Sequence, residues 1–214
     1  MAKADVSIID YGVGNLLSVQ RGLEHFGASV ELISEPKSVE EANRVVLPGV
    51  GAFGNAMKTL KRLRLIEPIQ ELAERGTPVL GVCLGMQLLL DKSEEHGLHD
   101  GIGLLTGSVK AISNLGSNNE SLRVPHIGWS PLYKPDSCSW AGTILEDLEE
   151  GSAVYFVHSF AATDVPSGNR IADTRYGGNE ICAVIGHENV TGCQFHPEKS
   201  GEIGLKILHR FMLQ

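Results

Sequence analysis

The 214 residues predict an α/β fold: an open, mostly parallel sheet flanked by helices, with antiparallel additions, in one domain spanning 1–214. Short apolar runs alternate with helix-period segments through the first half, and strand–helix–strand units imply right-handed crossovers and parallel pairs. From Gly103 to Phe195 the runs shorten and are punctuated by Gly, Asn and Pro, which favours antiparallel pairing. The length is enough to bury roughly 70% of the unfolded chain's surface. With 42% hydrophobic and 21% charged residues, a core without disulfides is expected.

Asp5–Asp10 is a short apolar strand. Tyr11–Gly14 is a turn, and Asn15 is placed to cap a helix running to about His25, with Gly27 ending it. Ser29–Ile33 reads as a second strand, followed by a short acidic helix opening on Pro36. Arg44–Leu47 is a third strand and ends in Pro-Gly-Val-Gly. Phe53–Arg75 has helical character, with Pro68 expected to break or kink it. Val79–Val82 is a fourth strand, and Leu84–Asp91 reads as the helix after it. The later strands fall within LLTGSVKAI, HIGWSPLY, AVYFVHSFAA, RIADTRY, EICAVIGH and NVTGCQF. An amphipathic helix over Ser200–Met212 closes the chain, and Asn114–Ser121 is expected to be a mobile loop.

The net charge of −8, with no Lys/Arg cluster, argues against nucleic acid or an anionic membrane as partner. No apolar run is long enough to span a bilayer, and the N-terminus runs almost directly into a strand. Cys83, Cys138, Cys182 and Cys193 form no Cys-x-x-Cys pair, which points to free thiols in a reducing, cytoplasmic setting. Cys138, Cys182 and Cys193 are expected in the core, and no Cys/His cluster has metal-ligand spacing.

Cys83 is different, because it sits where a strand turns straight into a helix, in Gly81-x-Cys83-x-Gly85-x-Gln87. A tight strand-to-helix corner projects a nucleophile out of the fold, and flanking glycines leave room for the sharp backbone. The helix N-terminus favours a thiolate and offers N–H groups to an oxyanion. In open α/β sheets ligands bind at the carboxyl ends of parallel strands, where this corner falls. A thiolate also needs a base, and the base an orienting group. Gln194-Phe195-His196-Pro197-Glu198 supplies both if the segment is extended, since residues two apart then face the same way. Glu198 would bond the His196 ring nitrogen that faces away from the thiol. Gly49-x-Gly51-x-x-Gly54 has the spacing of a dinucleotide turn, but it follows the third strand and no ribose-binding acid ends the next. Facing Cys83, it would instead aim backbone N–H groups at an anion.

Together these motifs resemble the class I, or triad, glutamine amidotransferases, over nearly the whole chain. IDYGVGNL, LPGVGAF, GVCLGMQLL, VPHIGWS, YFVHSF and GCQFHPEKS carry the resemblance. YGxGN, PGVG and PHxGW narrow it to glutaminases that serve a cyclase of histidine biosynthesis. The resemblance implies a flavodoxin-like α/β fold and a catalytic triad of Cys83, His196 and Glu198. It puts Val50, Gly51 and the Leu84 amide at the oxyanion, and Gly49, Gln87, Glu95, His158, Ser159 and Phe160 around glutamine. Asn15, Trp129, Tyr155 and Lys199 would face the partner, a cyclase subunit built as an α/β barrel. The family often has tyrosine where this chain has Phe160, and asparagine at Ser130. Glutamine would be hydrolysed through a cysteine thioester with no cofactor, and the Val50 amide could act as a gate completed by the partner. Two other readings stay open on the residues alone. A cysteine peptidase or γ-glutamyl hydrolase would need no partner, and a non-catalytic scaffold would not need Cys83.

Overall fold

A computed structural model describes residues 3–135 and 138–214. The elements, in chain order, are β1 (Val6–Ile9), α1 (Leu16–Glu24), β2 (Val30–Ile33), α2 (Pro36–Glu40), β3 (Val45–Leu47), α3 (Phe53–Arg62) and α4 (Ile66–Glu74). Next come β4 (Val79–Val82), α5 (Leu84–Leu88), β5 (Leu90–Ser93), β6 (His99–Asp100), β7 (Leu105–Ala111), β8 (His126–Pro131) and β9 (Ala153–His158). The last are β10 (Phe160–Thr163), β11 (Arg170–Tyr176), β12 (Asn179–His187), β13 (Val190–Cys193) and α6 (Gly201–Met212).

The main sheet has seven strands in the order β11-β12-β13-β4-β3-β1-β2. Its centre, from β13 to β2, is parallel, and β12 and β11 extend it antiparallel. Alternate residues of the central strands enter opposite layers. Val45, Leu47 and Val79 pack with Phe53, Leu60, Ile69 and Leu72 of α3 and α4. Val46, Leu80 and Val82 pack with Val19 and Leu23 of α1 and Ile207, Leu208 and Phe211 of α6. A sheet covered on both faces needs such continuous apolar strands. A second sheet, β10-β7-β5-β6, and the antiparallel pair β8-β9 complete the strands.

Several expectations are corrected. β13 is a parallel neighbour of β4, with Cys193 opposite Val82, not an antiparallel addition. The helical stretch 53–75 breaks over Leu63–Leu65, where Arg64 has φ +56°, and not at Pro68. Pro68 lies in the first turn of α4, where its missing N–H leaves no intrahelical bond unmade. The helix after Cys83 ends at Leu88 rather than Asp91, because incoming amides capture its carbonyls: Ile102 N–H donates to Leu88, and Leu104 N–H to Leu89. Asn15 does precede α1, but its side chain makes no capping bond. The stretch 114–121 is a closed turn: Leu122 N–H donates to the Asn114 carbonyl, Ser117 N–H to Gly177, and the Asn179 amide to Leu115. All four cysteines are free thiols; Cys182 and Cys193 are buried as expected, whereas Cys138 is only half-buried.

Candidate active site

The β4–α5 corner forces Cys83 into φ +55°, ψ −110°, a region that costs a non-glycine residue about 1–3 kcal/mol. The corner is held from both sides. Cys83 N–H donates to the Cys193 carbonyl at 2.8 Å, which extends the β4–β13 ladder up to the nucleophile. On the other side the Pro48–Gly51 turn presses directly on α5. A Cβ at Gly85 would lie 1.8 Å from the Leu47 carbonyl oxygen, and one at Gly49 would lie 2.7 Å from the Tyr11 hydroxyl and 2.9 Å from Leu84 Cβ. Tyr11, buried, donates its hydroxyl to the Pro48 carbonyl at 2.9 Å and anchors the turn from β1. Gly51 has open space around it but sits at φ +100°.

These contacts set up a comparison. Gly85→Ala pushes a methyl into backbone that cannot move, and is expected to cost at least about 3 kcal/mol. Gly51→Ala meets only the left-handed penalty, about 1–2 kcal/mol. Urea unfolding of the two variants checks the order, and equal losses would mean that the corner is not packed this tightly.

His196 lies just past β13, so the parallel β13–β4 pairing delivers it to the same end of the sheet as Cys83. Its Nδ1 meets Glu198 Oε1 at 2.8 Å, with both side chains almost fully buried, at 3% and 1% exposure. The contact is the expected one, but the backbone is not extended: Pro197–Lys199 is a 3-10 turn that curls the carboxylate back under the ring. His196 Nε2, also buried, has no hydrogen-bond partner among the described residues. Burial pulls the His196 pKa down, but Cys83 and Glu198 outweigh it and hold the imidazole up at about 9. With its pKa raised to about 9 the ring carries a proton at neutral pH, and its unpartnered Nε2 faces the site.

A cavity of about 530 Å³ opens here, lined by Val50, Gly51, Cys83, Gln87, Glu95, His96, Pro125, Val157, His158, Ser159, Phe160 and His196. It gathers most of the residues that the sequence marks for catalysis and substrate. Gly49 and Leu84 are packed beneath the lining, and Glu198 stands behind His196. Glu95 has a second task, since its Oε2 accepts the Phe53 N–H at 2.6 Å at the start of α3. The Gln87 amide is spanned between the Phe160 carbonyl and Gln194 Oε1, each at 2.9 Å. Gln194 in turn points its Nε2 at Cys83 Sγ, 3.9 Å away.

Sequence reasoning passes over Gln194 and His126. Gln194 is fully buried, and the signal was a polar residue between Cys193 and Phe195 in an otherwise apolar strand end. His126 lies behind the cavity on β8, bonded through Nδ1 to His158 Nε2 at 3.0 Å. Its position follows from β8–β9 pairing, which sets the two histidines opposite each other.

The residues expected to face a partner gather at the same end. Trp129 is 57% exposed and packs edge-on against Tyr155 across the β8–β9 pair, with ring centroids 6.1 Å apart. Lys199 is exposed on the 3-10 turn after His196, against which α1 packs, and Asn15 is half-buried at the start of α1. Among the described residues no helix is long and apolar enough to cross a membrane, and no group of three or more His, Cys, Asp or Glu is placed to hold a metal ion.

Compared with known proteins, residues 7–214 match the family described as glutamine amidotransferase class-I. The chain is 51% identical to the imidazole glycerol phosphate synthase subunit HisH 1 of Legionella pneumophila (strain Lens), covering 98% of this chain and 99% of that protein. It is 43% identical to the HisH subunit of Geobacter metallireducens over 98% of each. Among solved structures, PurLQS from Thermotoga maritima superposes with a TM-score of 0.72 at 20% identity, over 97% of this chain and 96% of that one. A crystal structure of a glutamine amidotransferase gives the same TM-score at 18% identity, over 97% and 96%.

Proposed function

The chain belongs to the class-I glutamine amidotransferase family, and on that premise we propose how its residues hydrolyse glutamine as the glutaminase subunit of an imidazole glycerol phosphate synthase, in histidine biosynthesis. One observation carries this reading: a cysteine in a strained backbone conformation shares a cavity with an imidazole whose pKa is held up by that cysteine and by a buried carboxylate.

Glutamine enters the cavity among Gln87, Glu95 and the His158–Phe160 backbone. The Cys83 thiolate attacks the side-chain amide carbon, and the carbonyl π electrons move onto oxygen. Backbone N–H groups of the Val50–Gly51 turn and of Leu84 receive that oxyanion; losing one such donor costs other enzymes about two to three powers of ten in rate. As the tetrahedral species collapses, the C–N bond breaks and His196 gives its proton to the leaving ammonia. A γ-glutamyl thioester remains on Cys83. His196 then takes a proton from water, the hydroxide adds to the thioester, and glutamate leaves as the thiolate re-forms. Glu198 holds the imidazole oriented throughout.

Ammonia released into water would be protonated and lost, so the product is passed to a partner subunit. That partner is a cyclase with an α/β barrel, which uses the ammonia to make imidazole glycerol phosphate and aminoimidazole carboxamide ribotide. It docks on the end of the sheet where Trp129, Tyr155, Lys199 and Asn15 gather, and the complex works in the cytoplasm. Val50 lies 45% exposed at the rim of the cavity, beside Gly51 at φ +100°. A turn whose glycine tolerates more than one backbone state can hold the Val50 amide away from the oxyanion until the partner is loaded.

Rapid acid quench of the complex during turnover, followed by peptide mass spectrometry, is expected to find a glutamyl adduct on the Cys83 peptide. Steady glutamate release with no adduct on Cys83, and with release surviving Cys83→Ala, would remove the thioester route.

A further inference from the structure

Two buried histidines outside the triad make a hydrogen-bond chain whose direction is fixed by its far end. His158 Nδ1 lies 2.9 Å from the Phe160 carbonyl oxygen, which can only accept, so the proton is on His158 Nδ1. In a neutral ring, His158 Nε2 is then an acceptor, and His126 Nδ1, 3.0 Å away, must donate to it. His126 Nε2 is in turn an acceptor, and the Ser130 hydroxyl, at 2.9 Å, donates to it. Burial keeps both imidazoles neutral, pulling each pKa down to about 4, so the assignment holds at neutral pH.

The chain does not stop at Phe160. Its carbonyl also accepts from Gln87 Nε2, so donors hold it from two sides, and Gln87 continues to Gln194 and the Cys83 sulfur. From Ser130 to Phe160 every donor points toward the cavity, and Gln87 meets the same carbonyl from the other side. The His126 ring is held on its faces as well, stacked on Phe156 at 4.9 Å and 19° and on Tyr176 at 4.3 Å and 25°. Tyr176 is itself tied down by its hydroxyl to the Arg123 carbonyl at 2.6 Å. A core that only needed filling would use apolar side chains, because each unpaired ring nitrogen here would carry a desolvation cost. All four ring nitrogens are instead partnered, and the product of that arrangement is a carbonyl with a fixed direction.

We propose that His126 and Ser130 are positioning residues for the glutamine pocket, acting through His158 to fix the Phe160 carbonyl and, with it, the Gln87 amide. Neither touches the substrate. The proposal rests on the glutaminase reading of the cavity, and it concerns residues on β8, whose other face carries exposed Ile127 and Trp129. The strand thus has one face toward solvent and the other toward the wire.

The test uses this chain in complex with its partner subunit. His126→Phe keeps the ring stack and removes both hydrogen bonds; it is expected to raise KM for glutamine about tenfold while leaving kcat within about threefold. Ser130→Ala should raise KM by a smaller factor, about threefold, and Ser130→Thr, which keeps the hydroxyl, should restore it. If His126→Phe does not fold, the Ser130 pair decides. Nitrogen-15 NMR of the unsubstituted chain gives an independent reading, with the proton expected on Nδ1 of both His126 and His158. An Nε2–H tautomer on either ring, an unchanged KM in His126→Phe, or equal behaviour of Ser130→Ala and Ser130→Thr would overturn the proposal. Failure of the glutaminase reading would look different, as an unsubstituted complex that releases no glutamate.

Discussion

Replacing Cys83 by glycine is expected to abolish glutamate release and yet give a more stable protein than replacing it by alanine. Both variants lose the only nucleophile in the proposed mechanism, so release should fall by at least about a thousandfold. Their stabilities separate on backbone grounds. Alanine keeps a Cβ at φ +55°, ψ −110°, and with it the conformational strain of the corner. Glycine occupies that region freely. In an ordinary strand or helix Gly is about 0.5–1 kcal/mol worse than Ala; here the order inverts, with glycine better by about 1–2 kcal/mol. Paired urea titrations and a glutamate assay read both effects. If alanine is the more stable variant, the corner is not strained, and the account of why the thiol projects into the cavity loses its physical basis.

Glu198→Gln is expected to lower kcat by about two to four powers of ten while keeping the shape of the site. The amide still fits beneath the ring, but its charge is gone. The carboxylate's share of the support against burial is lost, and the His196 pKa, held at about 9 by Cys83 and Glu198 together, falls. The sign for stability follows. His196 binds its proton more tightly folded than at its ordinary value of 6.5, so its contribution is fully present below about pH 6.5 and fades as pH rises through about 9. That alkaline loss should shrink in Glu198→Gln. Unfolding free energies at pH 6, 7.5 and 9 check it, and an identical pH profile in the two proteins would mean that the carboxylate does not govern the ring.

The sequence carries local geometry well and long-range pairing poorly. Cys83 is legible because a corner between an apolar strand and a helix, with glycines on both sides, has few uses. Gly49 and Gly85 look like ordinary turn glycines until the turn after β3 is seen pressing on α5, a contact between segments more than thirty residues apart. His196 and Glu198 can be picked out by their spacing, but their arrival beside Cys83 depends on β13 pairing with β4 in parallel, across a connection of more than a hundred residues. The orienting contact was inferred from an extended backbone and is made by a 3-10 turn instead. Helix α5 stops short of its apolar run because carbonyls at Leu88 and Leu89 are taken by the segment after β6, which no local propensity reveals. His126 and Gln194 escaped notice for the same reason, since a lone buried polar residue acquires meaning only through its distant partner.

The central claim is that Cys83 attacks glutamine when a partner is ready for the ammonia. The measurement that tests it most directly is glutamate release by the purified chain, first alone and then with the proposed cyclase partner and that partner's own ligand. The account predicts near-silence alone and a rise of about a hundredfold in the loaded complex. Substantial and equal rates in both conditions would contradict it and make the chain a free-standing glutamine hydrolase.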